Sequence, residues 1–290
     1  MHSHGWAVLQ PNRWDGGRRA LIRTERLGAG RVVHLEVTGT GKADRQRVRI
    51  DVRHEGELGA SERKAVIRSI RRMLRLDEDL RPFHAQCRKE GGRWEAASHG
   101  LGRLLCSPSV FEDAVKTICT TNVQWGGTRA MVRGLTRELG EPGPMSGDDS
   151  EGFPNSFPTP EAVAAADGRT LEGARLGYRA PYVRELAERV TAGDLDLEEL
   201  RTRDASTEEV RRELLAIKGV GPYAAATLLM LLGRYDHLAV DSVFRTFVSG
   251  RYFGGRVPAD GEAREIYAGW GRWKYLGYWF DLWQGLDEEL

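Results

Sequence analysis

Two features of this 290-residue chain join chemically useful residues to a spacing that can hold them. The first is a tight turn, Gly219-Val220-Gly221-Pro222, within the run from Leu214 to Tyr223. A Gly-x-Gly turn needs positive φ or close backbone approach, which glycine supplies at least cost. Pro222 suits the first turn of a following helix, where its missing N–H is no loss. Backbone N–H groups at that helix start are a natural seat for a phosphate. The second feature is Asp241, an isolated carboxylate in Ala-Val-Asp-Ser-Val-Phe-Arg, 20 residues beyond Gly221. Its place before Ser242 also suits the N-cap of the next helix, and capping would orient the carboxylate. The cysteines exclude other chemistries. Cys87, Cys106 and Cys119 form no Cys-x-x-Cys pattern, so neither a zinc site nor an iron–sulfur cluster is supported. Their odd number and scatter fit a reducing cytosol, and a cytoplasmic location is expected. There is no apolar signal core and no run approaching a membrane span, so no membrane partner is expected. With a net charge of only +1, nucleic-acid binding would have to come from local basic patches.

The elements around these features are legible from periodicity. The expected fold class is α+β, an N-terminal antiparallel β-sheet domain followed by a mostly α-helical core. Val33, Leu35 and Val37 alternate with polar residues, as do Val48, Ile50 and Val52, which is the pattern of half-buried strands. Thr38 to Gly41 reads as the turn between them, and Trp6 to Leu9 and Ala20 to Ile22 read as two more strands. Ser61 to Leu76 reads as a helix with an apolar face and an arginine-rich face, either a phosphate-binding surface or an ordinary solvated one. Ser109 with Glu112, and Ser206 with Glu209, have the spacing of capping boxes opening two further helices. The stripe Val110, Phe111, Ala114, Val115, Ile118 and Cys119 reads as a buried helix face. Residues 141–159 are rich in Gly, Pro, Ser and Asp and read as a loop, and Thr159-Pro160 starts another helix. The domains expected are residues 1–85 for the sheet with its helix and 86–290 for the helical core, with a hairpin at 206–233.

The pattern Leu214-x-x-Ile217-x-Gly219-Val220-Gly221-x-Tyr223-x-Ala225, followed by Val240-Asp241, resembles the helix-hairpin-helix DNA glycosylase superfamily. The resemblance covers roughly residues 70 to 285 and points to the 3-methyladenine II and 8-oxoguanine branches, without an iron–sulfur cluster. It implies that Gly219, Val220, Gly221, Pro222 and Tyr223 grip the DNA backbone. Asp241 would be the catalytic carboxylate. The partner implied is double-stranded DNA carrying a damaged base, met by a monomer. No cofactor is required, although the backbone carbonyls of Leu215, Ile217 and Val220 would hold Na⁺ or K⁺ at the hairpin.

The same resemblance supplies the remaining site residues. Ile118-Cys119-Thr120-Thr121-Asn122 is similar to the 8-oxoguanine-branch segment whose asparagine fills the hole left by a flipped base, at Asn122 here. The family's downstream arginine, which reads the opposite cytosine, is replaced by Gly127. Leu176-Gly177-Tyr178-Arg179-Ala180 is similar to a segment of that branch in which Tyr178 and Arg179 would wedge and read the partner strand. Trp273 resembles the tryptophan that stacks on the target base in the alkylation branch, and Tyr223 and Thr227 would line the same pocket. Breaking an N-glycosidic bond gives an oxocarbenium-like sugar, which Asp241 would stabilise while activating a water. Bifunctional members carry a lysine where this chain has Tyr223, so a monofunctional enzyme acting on alkylated purines is the reading favoured. The alternatives are an 8-oxoguanine-type glycosylase with lyase activity, and a non-catalytic damaged-DNA-binding protein.

Overall fold

The computed structural model describes residues 5–41, 47–144 and 153–287. Four strands come first: β1 (Asn12–Asp15), β2 (Ala20–Arg26), β3 (Val32–Thr40) and β4 (Arg47–Arg53). The helices follow as α1 (Ala60–Met73), α2 (Arg81–Glu90), α3 (Val110–Thr120), α4 (Trp125–Leu139), α5 (Pro160–Ala165), α6 (Gly168–Gly173) and α7 (Ala180–Ala192). The remainder are α8 (Glu199–Thr202), α9 (Thr207–Leu215), α10 (Pro222–Leu231), α11 (Ser242–Phe253), α12 (Asp260–Glu265) and α13 (Lys274–Asp287). This is the α+β order expected, an antiparallel sheet and then helices. Among the described residues no helix is long and apolar enough to cross a membrane.

Two compact units divide the chain, one made of residues 1–75 and 105–198, the other of 76–104 and 199–290. The sheet and α1 therefore share a unit with α3 to α7 and do not form a separate N-terminal domain ending near residue 85. The crossing point follows Arg75, which holds φ at +52°.

In the first unit the strands form an antiparallel meander in the order β1-β2-β3-β4. Leu21 faces Val37, Val37 faces Ile50, and Leu35 faces Val52, so the alternating apolar residues share one face. The expected turn at Thr38–Gly41 is instead the end of β3, because Thr38, Gly39 and Thr40 pair with Arg49, Val48 and Arg47. Trp6–Val8 is a 3-10 turn and not a strand. Val8 N–H closes onto Gly5 C=O, and the buried Trp6 donates Nε1–H to Asp113 Oδ1 at 2.9 Å. Residues 145–152 of the expected loop lie outside the described residues. Its ends are clasped, with Ser156 N–H on Glu141 C=O at 2.8 Å and Phe153 stacked on His34 at 3.9 Å between centroids.

The core of this unit contains a charged knot. Arg23 on β2 meets Glu112 on α3 through two parallel bonds of 3.0 and 2.7 Å, and Lys116, one turn further along α3, donates to Glu112 at 2.6 Å. All three are buried. This explains why the capping box at Ser109 is only half made. Ser109 accepts from Glu112 N–H at 3.2 Å, but the Glu112 carboxylate is committed to Arg23 and Lys116 and does not reach back. Burial works to raise the Glu112 pKa, yet the Arg23 and Lys116 charges outweigh it and hold the carboxyl down at about 2. The stability it contributes is present above the ordinary carboxylate range and lost as pH falls towards that value.

In the second unit Phe83 of α2 is ringed by Trp270, Trp273 and Phe280 at centroid distances of 6.0, 5.7 and 5.9 Å. Trp270 lies flat against the backbone of α13, where a Cβ on Gly277 would sit 2.5 Å from its Cδ2. The aromatic tail is thus largely core, as its composition suggests.

Removing one partner of the buried knot leaves uncompensated charge. Glu112→Gln is expected to lower unfolding free energy by about 3–5 kcal/mol. Urea denaturation checks this, and a loss below about 1 kcal/mol would show that the knot is incidental to stability.

Candidate active site

The hairpin is built by local rules. Ser206 accepts from Glu209 N–H at 3.2 Å while the Glu209 carboxylate accepts from Ser206 N–H at 2.8 Å, a complete capping box opening α9. Gly219 stands at φ +87°, and Val220 N–H closes the turn onto Ile217 C=O at 3.0 Å. Gly221, the N-cap of α10, is different. Its φ of −87° is open to any residue, and a Cβ there would meet nothing within 4 Å. The chain itself does not require glycine at 221, so the open space suits the close approach of a bound group. The start of α10 has no side-chain cap and no acidic residue in its first turn, which keeps its dipole available to an anion. Ala224 to Leu231 are buried, and α10 packs against α9.

A Schellman motif ends α10, with Gly233 N–H on Met230 C=O at 3.0 Å and Arg234 N–H on Leu229 C=O at 2.8 Å. The chain then runs through buried Tyr235, whose carbonyl takes Tyr275 N–H at 2.8 Å and whose hydroxyl donates to Glu78 at 2.9 Å. It arrives at Asp241, the N-cap of α11, where Oδ1 accepts from Phe244 N–H at 2.7 Å. Capping and the exposure of a carboxylate coexist here, as the residue is half-buried. Desolvation raises the Asp241 pKa above its usual range, against the backbone N–H bonds that favour the charged form.

Two phenols, Tyr275 and Tyr278, neighbour this carboxylate, and Tyr223 neighbours both of them. Burial pushes Tyr275 upward first, with the neighbouring Tyr223 and Asp241 adding to it. Tyr278 is likewise raised by burial and then by Asp241. Tyr275 also stacks in parallel on Trp279, at 6.2 Å and 7°. A half-buried carboxylate beside Tyr275 and Tyr278 can stabilise a developing positive charge next to flat aromatic walls. Further along α13, Asp281 accepts from the hydroxyls of Tyr252 and Tyr267 and pairs with Arg93 at 2.7 Å, anchoring α11 near its far end.

The other expected site residues divide. Trp273 is 6% exposed, stacks on Tyr235 at 5.8 Å and carries Arg272 4.7 Å over its ring. It has no open face for a base. The aromatics beside Asp241 are Tyr275, two residues later, and Tyr278, which sequence reasoning missed because nothing local distinguishes them within the aromatic tail. Thr227 turns its hydroxyl onto Tyr223 C=O at 3.1 Å and is buried, so it fixes the helix turn that carries Tyr223.

Asn122, Tyr178 and Arg179 belong to the first unit, and Asp241, Tyr223 and Trp273 to the second. Asn122 is exposed in the left-handed region at φ +47°, one residue past the C-cap of α3. Tyr178 is exposed. Arg179 points inward: it is 6% exposed, donates to Thr121 C=O and lies 4.4 Å from the Tyr178 ring. It positions the turn and does not present its guanidinium for reading. The cysteines are buried, and burial lifts Cys119 to about 12 and Cys87 to about 11, values that suit packing and not nucleophilic chemistry. Among the described residues no cluster of three or more His, Cys, Asp or Glu side chains could hold a metal ion.

The fold is similar to that of solved DNA glycosylases. A 3-methyladenine DNA glycosylase from Archaeoglobus fulgidus superposes with a TM-score of 0.74 at 23% identity, over 96% of this chain and 90% of that one. An 8-oxoguanine glycosylase/lyase from Clostridium acetobutylicum, bound to duplex DNA with cytosine opposite 8-oxoguanine, gives 0.68 at 16% identity, over 96% and 98%. By sequence, a probable N-glycosylase/DNA lyase of Methanothermobacter thermautotrophicus is 26% identical over 196 residues, which span 58% of this chain and 59% of that protein. No protein-family model matches the chain.

The raised pKa has a consequence for stability. A carboxylate whose folded pKa lies above its unfolded value favours the protonated fold, and that stabilisation is lost as pH rises through the folded pKa. Asp241→Asn keeps a cap acceptor without the charge. Its melting temperature at pH 7 is expected to exceed wild type, with the gap closing at pH values below the usual carboxylate range. A lower melting temperature at pH 7 would contradict the desolvation reading.

Proposed function

We propose that this chain is a DNA glycosylase that removes a damaged purine from duplex DNA by hydrolysis. The observation that carries the reading is the half-buried, cap-oriented Asp241 carboxylate set beside Tyr275 and Tyr278, 20 residues beyond a hairpin suited to phosphate. The hairpin turn Gly219 to Tyr223 holds the DNA backbone through N–H groups and the α10 dipole. Backbone carbonyls of Leu215, Ile217 and Val220 would hold a monovalent cation there, and such an ion would offset phosphate charge. Departure of the base leaves positive charge on the sugar. Asp241 stabilises it and takes the proton of the attacking water, leaving an abasic site.

The monofunctional reading rests on Tyr223, which occupies the place of the lyase lysine and offers no amine for a Schiff base. Lys218 is exposed on the α9 side of the turn. The aromatic surroundings of Asp241 favour alkylated purines, because an electron-poor base gains most from aromatic faces. A second reading, an 8-oxoguanine-type enzyme with lyase activity, is favoured by the name of the archaeal relative and by Asn122. A non-catalytic damage-binding role would leave the half-buried Asp241 carboxylate with its capping task alone.

Base release should be followed on duplexes carrying alkylated or oxidised purines, with product strands run before and after alkali. Wild type is expected to release alkylated purines and to give breaks only after alkali. Asp241→Asn should lose roughly 100-fold or more in rate. The acid limb of the wild-type rate profile should fall above the ordinary carboxylate range, since Asp241 must be ionised and its pKa is raised. Breaks without alkali would establish a lyase, and absence of release with binding intact would establish the non-catalytic reading.

A further inference from the structure

Three of the exposed large apolar side chains belong to the first unit: Val123 at 39%, Trp125 at 40% and Tyr178 at 53% exposure. They stand on two turns that are fastened to one another. Arg179, beside Tyr178, donates to Thr121 C=O, and Thr128 Oγ1 donates to Cys119 C=O at 3.0 Å. The turn from Asn122 to Gln124 is therefore held at both ends. Trp125 is also seated: its Cζ2 edge lies where a Cβ on Gly5 would be 2.3 Å away, and Gly5 stands at φ +85°. An aromatic ring that is seated on backbone yet two-fifths exposed is displayed and not merely left over from packing.

Charge extends the display. On α4, Arg129 and Arg133 are exposed at four and eight residues beyond Trp125, so all three share one helix face. The first turn of α4 contains no acidic residue. An aromatic ring followed by cations at helical spacing matches a nucleic-acid strand, which offers a flat base and then regularly spaced phosphates. The Trp125 ring carries a single hydrogen-bonding group, its indole N–H, so recognition there is by stacking.

We propose that Trp125 stacks on an unpaired nucleobase of bound DNA without base preference, while Arg129 and Arg133 take phosphates of the same strand. This rests on the glycosylase reading above and adds a strand-binding surface to it. The test is fluorescence-anisotropy binding to duplexes with a stable abasic analogue opposite each of the four bases, beside fully paired duplex. Trp125→Ala is expected to weaken abasic-duplex binding roughly 5- to 100-fold for all four opposite bases, with an unchanged salt slope. Trp125→Phe should restore most of the loss. Arg129→Ala and Arg133→Ala should each reduce the slope of log K against log salt by about 1. Wild-type-like binding by Trp125→Ala, with wild type still releasing damaged bases, would overturn this inference alone. A strong preference for one opposite base that Trp125→Ala abolishes would overturn the stacking account. Failure of wild type to bind abasic duplex or release any base would overturn the glycosylase reading as well.

Discussion

The bond from Phe244 N–H to the Asp241 carboxylate is the constraint on which the proposed chemistry depends. A carboxylate free to rotate would turn towards water and lose both its orientation and its desolvation. Here one oxygen is fixed by the first turn of α11, and the side chain stays half-buried among phenols. The price is a pKa pushed upward, since burial disfavours the charge that the reaction needs. Such strain is tolerated where the surroundings are rigid. Rigidity comes from both directions along the chain. The Schellman motif and the Tyr235 bonds fix the approach to Asp241, and the Asp281 network fixes the far end of α11.

The charged residues of this protein are used in two distinct ways. Arg23, Glu112 and Lys116 are buried together, where each satisfies another and none is available to a ligand. The α4 arginines and Arg63, Lys64, Arg68 and Arg71 of α1 are exposed, so the small net charge conceals local basic surfaces, while Arg72 turns in to Glu198 at 2.6 Å. Arg179 belongs between these classes. It is buried against Thr121 and Tyr178, and its contribution is to set the geometry of a turn whose exposed neighbours are apolar. The first unit thereby offers stacking surfaces, while the carboxylate and hairpin belong to the second.

What the sequence by itself determined lies within about one helical turn. The Ser206–Glu209 box, the Thr159 cap, the Asp241 cap and the positive φ of Gly219 all involve partners at most four residues apart, so residue type and spacing suffice. Strand alternation in β3 and β4 follows for the same reason, since period alone assigns the faces, whereas α3 is buried on every side from Val110 to Cys119 and its apolar stripe marks no single buried face. Tertiary structure decided the rest wherever a distant partner competes for a side chain. Glu112 has the spacing of a capping-box residue, but Arg23, 89 positions away, takes its carboxylate. Trp6 lies in an apparent strand, yet Asp113, 107 positions on, holds its indole in a 3-10 turn. Trp273 and Tyr275 are indistinguishable in the aromatic tail until Tyr235 covers one and Asp241 adjoins the other. A local rule fixes what a residue can do, and only the packed chain fixes which partner reaches it first.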